Sequence, residues 1–458
     1  MRRDGAGGKR PDGQHRTRIR QRPDPANLHV RPTQDPLTGV VGLVPFGTFV
    51  KGLGVDRALH AAIDRLKSGL HMVYRVGDVL RLLIDGLVVG ETRVYPIEAL
   101  AADALFTRLA GGMVPSVDVL YDDLRRLDDG DPERPLGMVV EHGLALLKAR
   151  SHKLIHLDID TTVERLFGEQ IEGARKGPNP RYRGRVSYHP IVARVAEVNA
   201  VVGARLRPGD TGFGNNDMPW LKGVIEAVRN AVGPDVVIVV RIDAAGDAIE
   251  VLRAIDQLGC LFVIKARMSP DLCRAVVLAP ERSWRTVDRD ADGRPVRQVM
   301  AVPDFRRAVW AERAVQYDVI AVRERDRSGG RKLYLWAGEE WTAHAFVTNA
   351  LDWDEDELAR EYSLRAGIEP LIGEFKHGYG IGQVPTGDFG ANEVMYLLKL
   401  LAYNLVQRFV RTLHPSLRSW QIAWLRRVLF RVPGRLVRHA RGTTLQVPFD
   451  SRIAPLRN

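Results

Sequence analysis

Cysteine is nearly absent. The 458 residues hold two, Cys260 and Cys273, whose separation gives no metal-ligand spacing and whose number builds no disulfide framework. A metal site made of thiolates is thereby excluded, and a reducing cytoplasm fits. Also missing is any apolar run of membrane-spanning length, and the Arg-bearing start lacks the apolar core of a signal peptide. The expectation is a soluble intracellular protein without a membrane partner. Acidic side chains are in the minority, 56 Asp plus Glu against 67 Lys plus Arg, which leaves a net charge of +11. The pI is near 9.8. Such a balance favours polyanionic partners, nucleic acid first, and says nothing about fold. Hydrophobic residues make up 45% of the chain, as in a globular protein, and its length implies about two to four domains.

Residues 1–35 are rich in Arg, Gly, Pro, Asp and Gln and have no hydrophobic period. They are expected to form a disordered basic tail that either contacts phosphates or only solubilises. From 36 to 150 the pattern is helical: ALHAAIDRL, VGDVLRLLIDGLVVG and YPIEALAADALFTRLAG repeat apolar residues at three- and four-residue steps. After Gly111-Gly112, Ser116 is a candidate N-cap for SVDVLYDDLRRL. Two helices about a glycine turn suggest a helix-turn-helix within an N-terminal DNA-binding domain, although Asp118, Asp122 and Asp123 suit a groove-reading helix poorly.

At Lys153 the period changes to two. KLIHLDID puts His156, Asp158 and Asp160 on one side of a strand and Ile155, Leu157 and Ile159 on the other. A loop follows with Arg175, Lys176, Arg181, Arg183 and Arg185, interleaved by Tyr182. It reads as a grip on a phosphate backbone or as a solvated loop. Two strands near 188–197 and 199–207 form a hairpin antiparallel to the first, and a helix occupies about 217–232. DVVIVVRID is then a strand buried on both faces that leaves the core at Asp243. Asp247 is expected to cap a helix reaching about 258, and CLFVIKAR is a further strand. Residues 268–345 are β-rich, with Trp336 and Trp341 among them, and an apolar core helix covers 392–409. The region from Arg411 is strongly basic and faces either DNA or a second subunit.

Between the β-rich segment and that core helix lies YSLRAGIEPLIGEFK, residues 362–376. Tyr362, Arg365, Glu369 and Lys376 fall at steps that return to nearly one bearing on a helix, with a kink expected at Pro370. A carboxylate flanked by cations suits a place where a metal and phosphates meet, the Glu taking the metal and Arg and Lys the phosphates. The plain alternative is an ordinary charged helix face.

Y-x2-R-x3-E-x6-K resembles the Tyr-Arg-Glu-Lys signature of one branch of the DDE transposases of bacterial insertion sequences. The resemblance implies an α/β fold with a ribonuclease H-like mixed-sheet catalytic core. That core is divided into 151–267 and 346–410, with a β-rich insertion domain over 268–345, a helical DNA-binding domain over 36–150 and a basic C-terminal region over 411–458. It implies that Glu369 is the third acidic metal ligand and that two strand ends supply the others. Asp160, two residues before Thr162, matches the first D-x-T pattern, with Asp158 as runner-up; Asp243 stands for the second, although AAGD departs from the usual Ser-Gly-aromatic. Two Mg²⁺ ions per site, replaceable by Mn²⁺, are implied, as is an insertion-domain tryptophan, Trp341, that stacks on a flipped base. Tyr362, Arg365, Lys376 and the cationic loop would contact DNA. The implied activity is metal-dependent cleavage and strand transfer at insertion-sequence ends. Implied partners are duplex DNA at terminal inverted repeats, target DNA and a second copy of the chain, in a bacterial cytoplasm at the nucleoid. A domesticated or inactive copy that binds DNA without cutting it, and a helical interaction protein with structural acids, are the alternatives.

Overall fold

A computed structural model covers residues 31–69, 72–129, 133–168, 170–177, 183–302, 305–325, 341–440 and 442–448. The tail up to residue 30, Arg181, Tyr182, Trp336 and the end of the basic C-terminal region lie outside the described residues.

The described residues begin with a two-residue strand, β1 (Leu37–Thr38), and helices α1 (Leu43–Gly52), α2 (Val55–Ile63), α3 (Val76–Val89), α4 (Ala104–Leu109), α5 (Val117–Arg125) and α6 (Glu133–Lys148). The helical pattern read from 36 to 150 is therefore present. α3 is buried over nearly its whole circumference and stops at Gly90, whose φ of 113° is open to glycine at little cost. Its last carbonyls are capped from far along the chain: Arg426 donates to the oxygens of Leu87 and Val88, and Arg431 to that of Val89. Part of the basic C-terminal region thus serves the fold itself. Ser116 caps α5 through Val119 N at 3.4 Å, and Asp123 is buried against Lys67 at 2.7 Å.

A nine-stranded mixed sheet forms the centre. Along the chain its strands are β2 (Leu154–Thr161), then β6 (Ile191–Val195), β7 (Ala200–Arg205), β8 (Val237–Ile242), β9 (Leu261–Lys265), β10 (Arg285–Arg289), β11 (Pro295–Ala301), β12 (Asp318–Arg325) and β13 (Trp341–Thr348). The short β3 (Glu164–Arg165), β4 (Arg175–Lys176) and β5 (Val186–Tyr188) make a separate three-stranded sheet in the order β3-β5-β4. The large sheet runs β10-β11-β12-β13-β9-β8-β2-β6-β7. β2, β8 and β9 are parallel neighbours, and all other pairs are antiparallel. The β-rich segment joins this sheet at its edge, because β13 pairs with β9.

Both faces of the sheet are covered, as the continuous apolar run of β8 requires. One face packs against α7 (Met218–Val232), α8 (Ile249–Gln257), α9 (Pro270–Leu278) and α10 (Ala308–Glu312) around Leu157, Ile238, Val240 and Trp310. α11 (Glu355–Leu364) lies on the other face, over Val239, Val263 and Phe346. After it come α12 (Ile368–Gly378), α13 (Phe389–Arg411), α14 (Ile422–Leu425) and the hairpin β14 (Gly434–His439) and β15 (Gly442–Gln446), which pairs with β1. α13 is the expected core helix, and Asn404 within it does more than pack. Its amide accepts from Val201 N and donates to Val201 O and Val139 O, so a side chain satisfies the free edge of β7. Among the described residues no helix is long and apolar enough to cross a membrane.

Candidate active site at two strand ends

β2 and β8 are in register from Leu154↔Val237 to Ile159↔Ile242. One step further brings Asp160 level with Asp243, both half-buried where parallel strands leave the core. Asp158, the runner-up, has a different surrounding. It is fully buried and held by Arg241 through Nε at 2.7 Å and Nη2 at 3.1 Å. This bidentate pair satisfies both carboxylate oxygens and leaves none facing outward.

The helix expected to carry four polar residues is broken, ahead of Pro370. α11 ends at Leu364, a 3₁₀ turn spans Arg365–Gly367, and α12 begins at Ile368. Pro370 falls in the first turn of α12, where a missing N–H costs little. Tyr362 therefore belongs to the first helix, Arg365 to the turn and Glu369 to the second helix. The break turns Arg365 inward: it is buried, donates from Nη2 to Asp160 Oδ1 and to Ile159 O at 3.3 Å, and so clamps the end of β2. The Tyr362 ring lies on Phe346, centroids 4.3 Å apart, and burial pushes its hydroxyl up to about 12.

Asp160 is the electrostatic centre of the group. Burial raises its carboxyl to about 6, opposed by Arg365 and reinforced by the negative charges of Asp243 and Glu369. Three carboxylates thus act on one place from β2, β8 and the first turn of α12. Their oxygens are the hard donors that a divalent cation such as Mg²⁺ takes. In this conformation no three Asp, Glu, His or Cys side chains among the described residues stand close enough to hold a metal ion, and Arg365 engages the nearest Asp160 oxygen. Charge and donor chemistry fit the cation; the spacing has to tighten.

Lys376 points elsewhere than Glu369. Its Nζ lies 3.0 Å from Glu164 Oε1 and donates to Val163 O at 3.4 Å. Glu164 is buried, and burial raises its carboxyl. β4 and β5 pair as a finger: Arg175 and Lys176 form β4, Arg183 and Arg185 lead into β5, and all four are exposed. Trp341 is 5% exposed and stands beside Arg323 and Arg325, centroid distances 4.9 and 5.1 Å.

Asp247 does not cap the helix that follows, whose N-cap position is Ala248; this corrects the sequence expectation. It is buried, accepts from Arg267 N at 2.6 Å and pairs with Arg307 at 2.9 Å. Arg267 in turn donates from Nε to Ala244 O at 3.0 Å, in the turn that Asp243 caps through Ala245 N. AAGD is therefore a clamped turn that fixes Asp243. Sequence reasoning missed Arg267 and Arg307, and also His156, which lies between Glu197 at 2.7 Å and Glu361 at 2.6 Å. Arg241 Nη1 donates to Glu361 O at 2.7 Å, tying α11 to the sheet one residue before Tyr362. The available signal was a charged residue at an inward position of an apolar strand, as at His156 and Arg241.

The family model "Transposase DDE domain group 1" matches residues 26–454. No curated protein matches the sequence. Among solved structures, the cryo-EM structure of a piggyBac transposase synaptic complex with hairpin DNA is similar, at 11% identity and a TM-score of 0.40. The match covers 87% of this chain and 82% of that one.

Proposed function

The chain belongs to the family of transposases with a DDE domain, group 1, and from that premise we propose that it is the DDE transposase of a bacterial insertion sequence. In this reading it cleaves DNA strands at the element's terminal inverted repeats and joins them to target DNA. Asp160, Asp243 and Glu369 are the catalytic carboxylates, in a ribonuclease H-like core built around β2, β8 and α12. Tyr362, Arg365, Glu369 and Lys376 are its Tyr-Arg-Glu-Lys signature.

One observation carries the proposal: Asp160 and Asp243 stand level at the ends of two adjacent parallel strands, with Glu369 in the first turn of α12 close enough for its charge to act on Asp160. These three side chains would hold Mg²⁺ ions, or Mn²⁺ in their place. When bound, such ions activate water or a 3′-hydroxyl and stabilise the leaving oxygen of an in-line displacement at phosphorus. Arg365 sets the orientation of Asp160 and holds its carboxylate until a cation competes for it. Arg267 and Arg307 hold the turn that bears Asp243. Glu369 extends from the exposed start of α12, where DNA can approach. Lys376 reaches a phosphate if it leaves Glu164.

Around this core the domains follow the boundaries above, with 36–150 as DNA-binding domain and the exposed Arg175, Lys176, Arg183 and Arg185 gripping the backbone together with Arg181. Trp341 takes a flipped base after release from its arginines. The DNA complex contains two copies of the chain, at the nucleoid. In the second reading, a domesticated copy, Arg365 keeps Asp160 permanently and the protein binds DNA without cutting it.

Nicking of DNA bearing the element's own ends decides between them. The purified protein should nick in Mg²⁺, and Asp160→Asn, Asp243→Asn and Glu369→Gln should each lower nicking by orders of magnitude while keeping DNA affinity. Ordinary nicking by any of these variants removes that residue from the catalytic set. A second readout is binding of the cation alone: Mn²⁺ should raise the melting temperature of the native protein and not of Asp160→Asn.

A further inference from the structure

A cavity of about 590 Å³ lies behind the end of β2, between the segment that follows α3 and the loop joining α12 to α13. Its size is that of small-molecule sites, and it lies where the N-terminal helices meet the core, a common place for such sites. The mouth carries two exposed aromatic rings, Tyr95 at 68% and Phe167 at 77% exposure. Singly exposed hydrophobics need no explanation, but these two rings flank the same opening. The Arg165 guanidinium lies 4.4 Å from the Phe167 centroid, and Arg93, also in the lining, is exposed. The floor is polar and rigid. Lys399, wholly buried, donates to Gly380 O at 2.6 Å and Gln383 O at 2.7 Å and so fixes the loop. Gly380, at a φ of 63°, comes so near to Thr92 that a Cβ there would stand 2.7 Å from the Thr92 Cβ. Gln383 Oε1 is left buried with no hydrogen-bond donor among the described residues. An acceptor desolvated in this way is costly unless a ligand's N–H reaches it.

We propose that this cavity binds one nucleotide unit, its base between Tyr95 and Phe167, a base N–H on Gln383 Oε1, and its phosphate between Arg93 and Arg165. Each element of the cavity answers to one part of that ligand. Flat rings with a guanidinium alongside suit the face of a base. Two arginines at the rim suit a phosphate, and the orphaned acceptor suits an amino or imino group. The floor touches Glu164, the partner of Lys376: a Cβ at Gly382 would stand 2.3 Å from Glu164 Oε2. A unit bound here therefore lies beside Glu164, four residues along the chain from Asp160. The source is either an unpaired residue of a DNA strand, which rests on the reading above, or a free mononucleotide.

The test uses the full chain in EDTA, so that it stands whether or not the carboxylates hold metal. A labelled 12-mer single strand is compared with the same strand made of abasic residues, and both with a duplex. The strand with bases should bind at least about fivefold tighter than the abasic one, from the stacking of one base. Phe167→Ala and Tyr95→Ala, both at exposed side chains, and Gln383→Met should each remove most of that ratio and leave duplex affinity unchanged. Displacement of the strand by millimolar dAMP or dCMP assigns the site to free nucleotides as well, and failure of both to displace it assigns the site to strands alone. Equal affinity for the two single strands, or a ratio unchanged in Phe167→Ala and Gln383→Met, overturns the proposal.

Discussion

Arg365 donates a charged hydrogen bond to Asp160 across 205 positions of the chain, and also to the carbonyl of Ile159. The guanidinium thus fixes both the side chain and the backbone at the end of β2. If Asp160 binds a cation, Arg365 works as the residue that orients it. Arg365→Gln should then lower nicking about 10- to 100-fold, the usual effect of removing an orienting partner. DNA affinity should change little, since the buried guanidinium is turned away from solvent. A proportional loss of DNA affinity would instead mark Arg365 as a phosphate contact.

Lys376 and Glu164 form a second pair, at 3.0 Å, with the lysine a third exposed and the carboxylate buried. Lys376→Ala strands that carboxylate and should cost about 1–3 kcal/mol of stability. The cost should be seen as a lower denaturation midpoint at unchanged slope. Adding Glu164→Gln should restore most of the loss, because a neutral amide needs no cation. If the double variant is no more stable than Lys376→Ala, the two side chains are energetically independent.

His156 gives the fold a pH dependence. Burial acts against its charged form, but the hydrogen bonds it donates to Glu197 and Glu361 prevail and raise the imidazole from 6.5 to about 8. A raised folded value means stability fully present below about pH 6.5 and lost as pH rises through about 8. The melting temperature should therefore fall between pH 6.5 and 8.5, and the fall should be smaller in His156→Gln. Equal pH profiles for the two proteins would show that the imidazole binds protons alike in the folded and unfolded chain.

The parts of this structure legible in the sequence are those written locally. The period of two in KLIHLDID and the continuous apolar run of DVVIVVRID placed β2 and β8, and the acids at their ends drew attention to Asp160 and Asp243. What local pattern does not contain is pairing between distant segments. The choice of Arg241 by Asp158 follows from the parallel register of strands 83 residues apart. The clamp on Asp247 depends on Arg307, 60 residues later, so its carboxylate read as a helix cap. The helix over 362–376 misled for a related reason. An ideal 3.6-residue period puts Tyr362, Arg365 and Glu369 on one stripe, whereas the pull of Asp160 on Arg365 accompanies a 3₁₀ turn that separates them. Lys376 read as a free cation because Glu164, its partner, lies 212 residues earlier in an unremarkable stretch.

The finger of β4 and β5 offers the cleanest test of the DNA surface, because among the described residues Arg175, Lys176, Arg183 and Arg185 form no ion pair. Arg175, Lys176, Arg183 and Arg185 are exposed, so removing two of them leaves the core intact. Each cation that neutralises a phosphate releases counterions, and the slope of log affinity against log salt records how many do so. Arg183→Ala with Arg185→Ala should lower that slope by about two units, roughly 0.9 per lost contact on duplex DNA. The loss should be the same for terminal-repeat and unrelated sequences, since phosphates carry no sequence information. Measuring it in Asp160→Asn protein keeps cleavage from consuming the substrate. An unchanged slope, with unchanged affinity, would place the finger away from DNA and leave its charge to solvent.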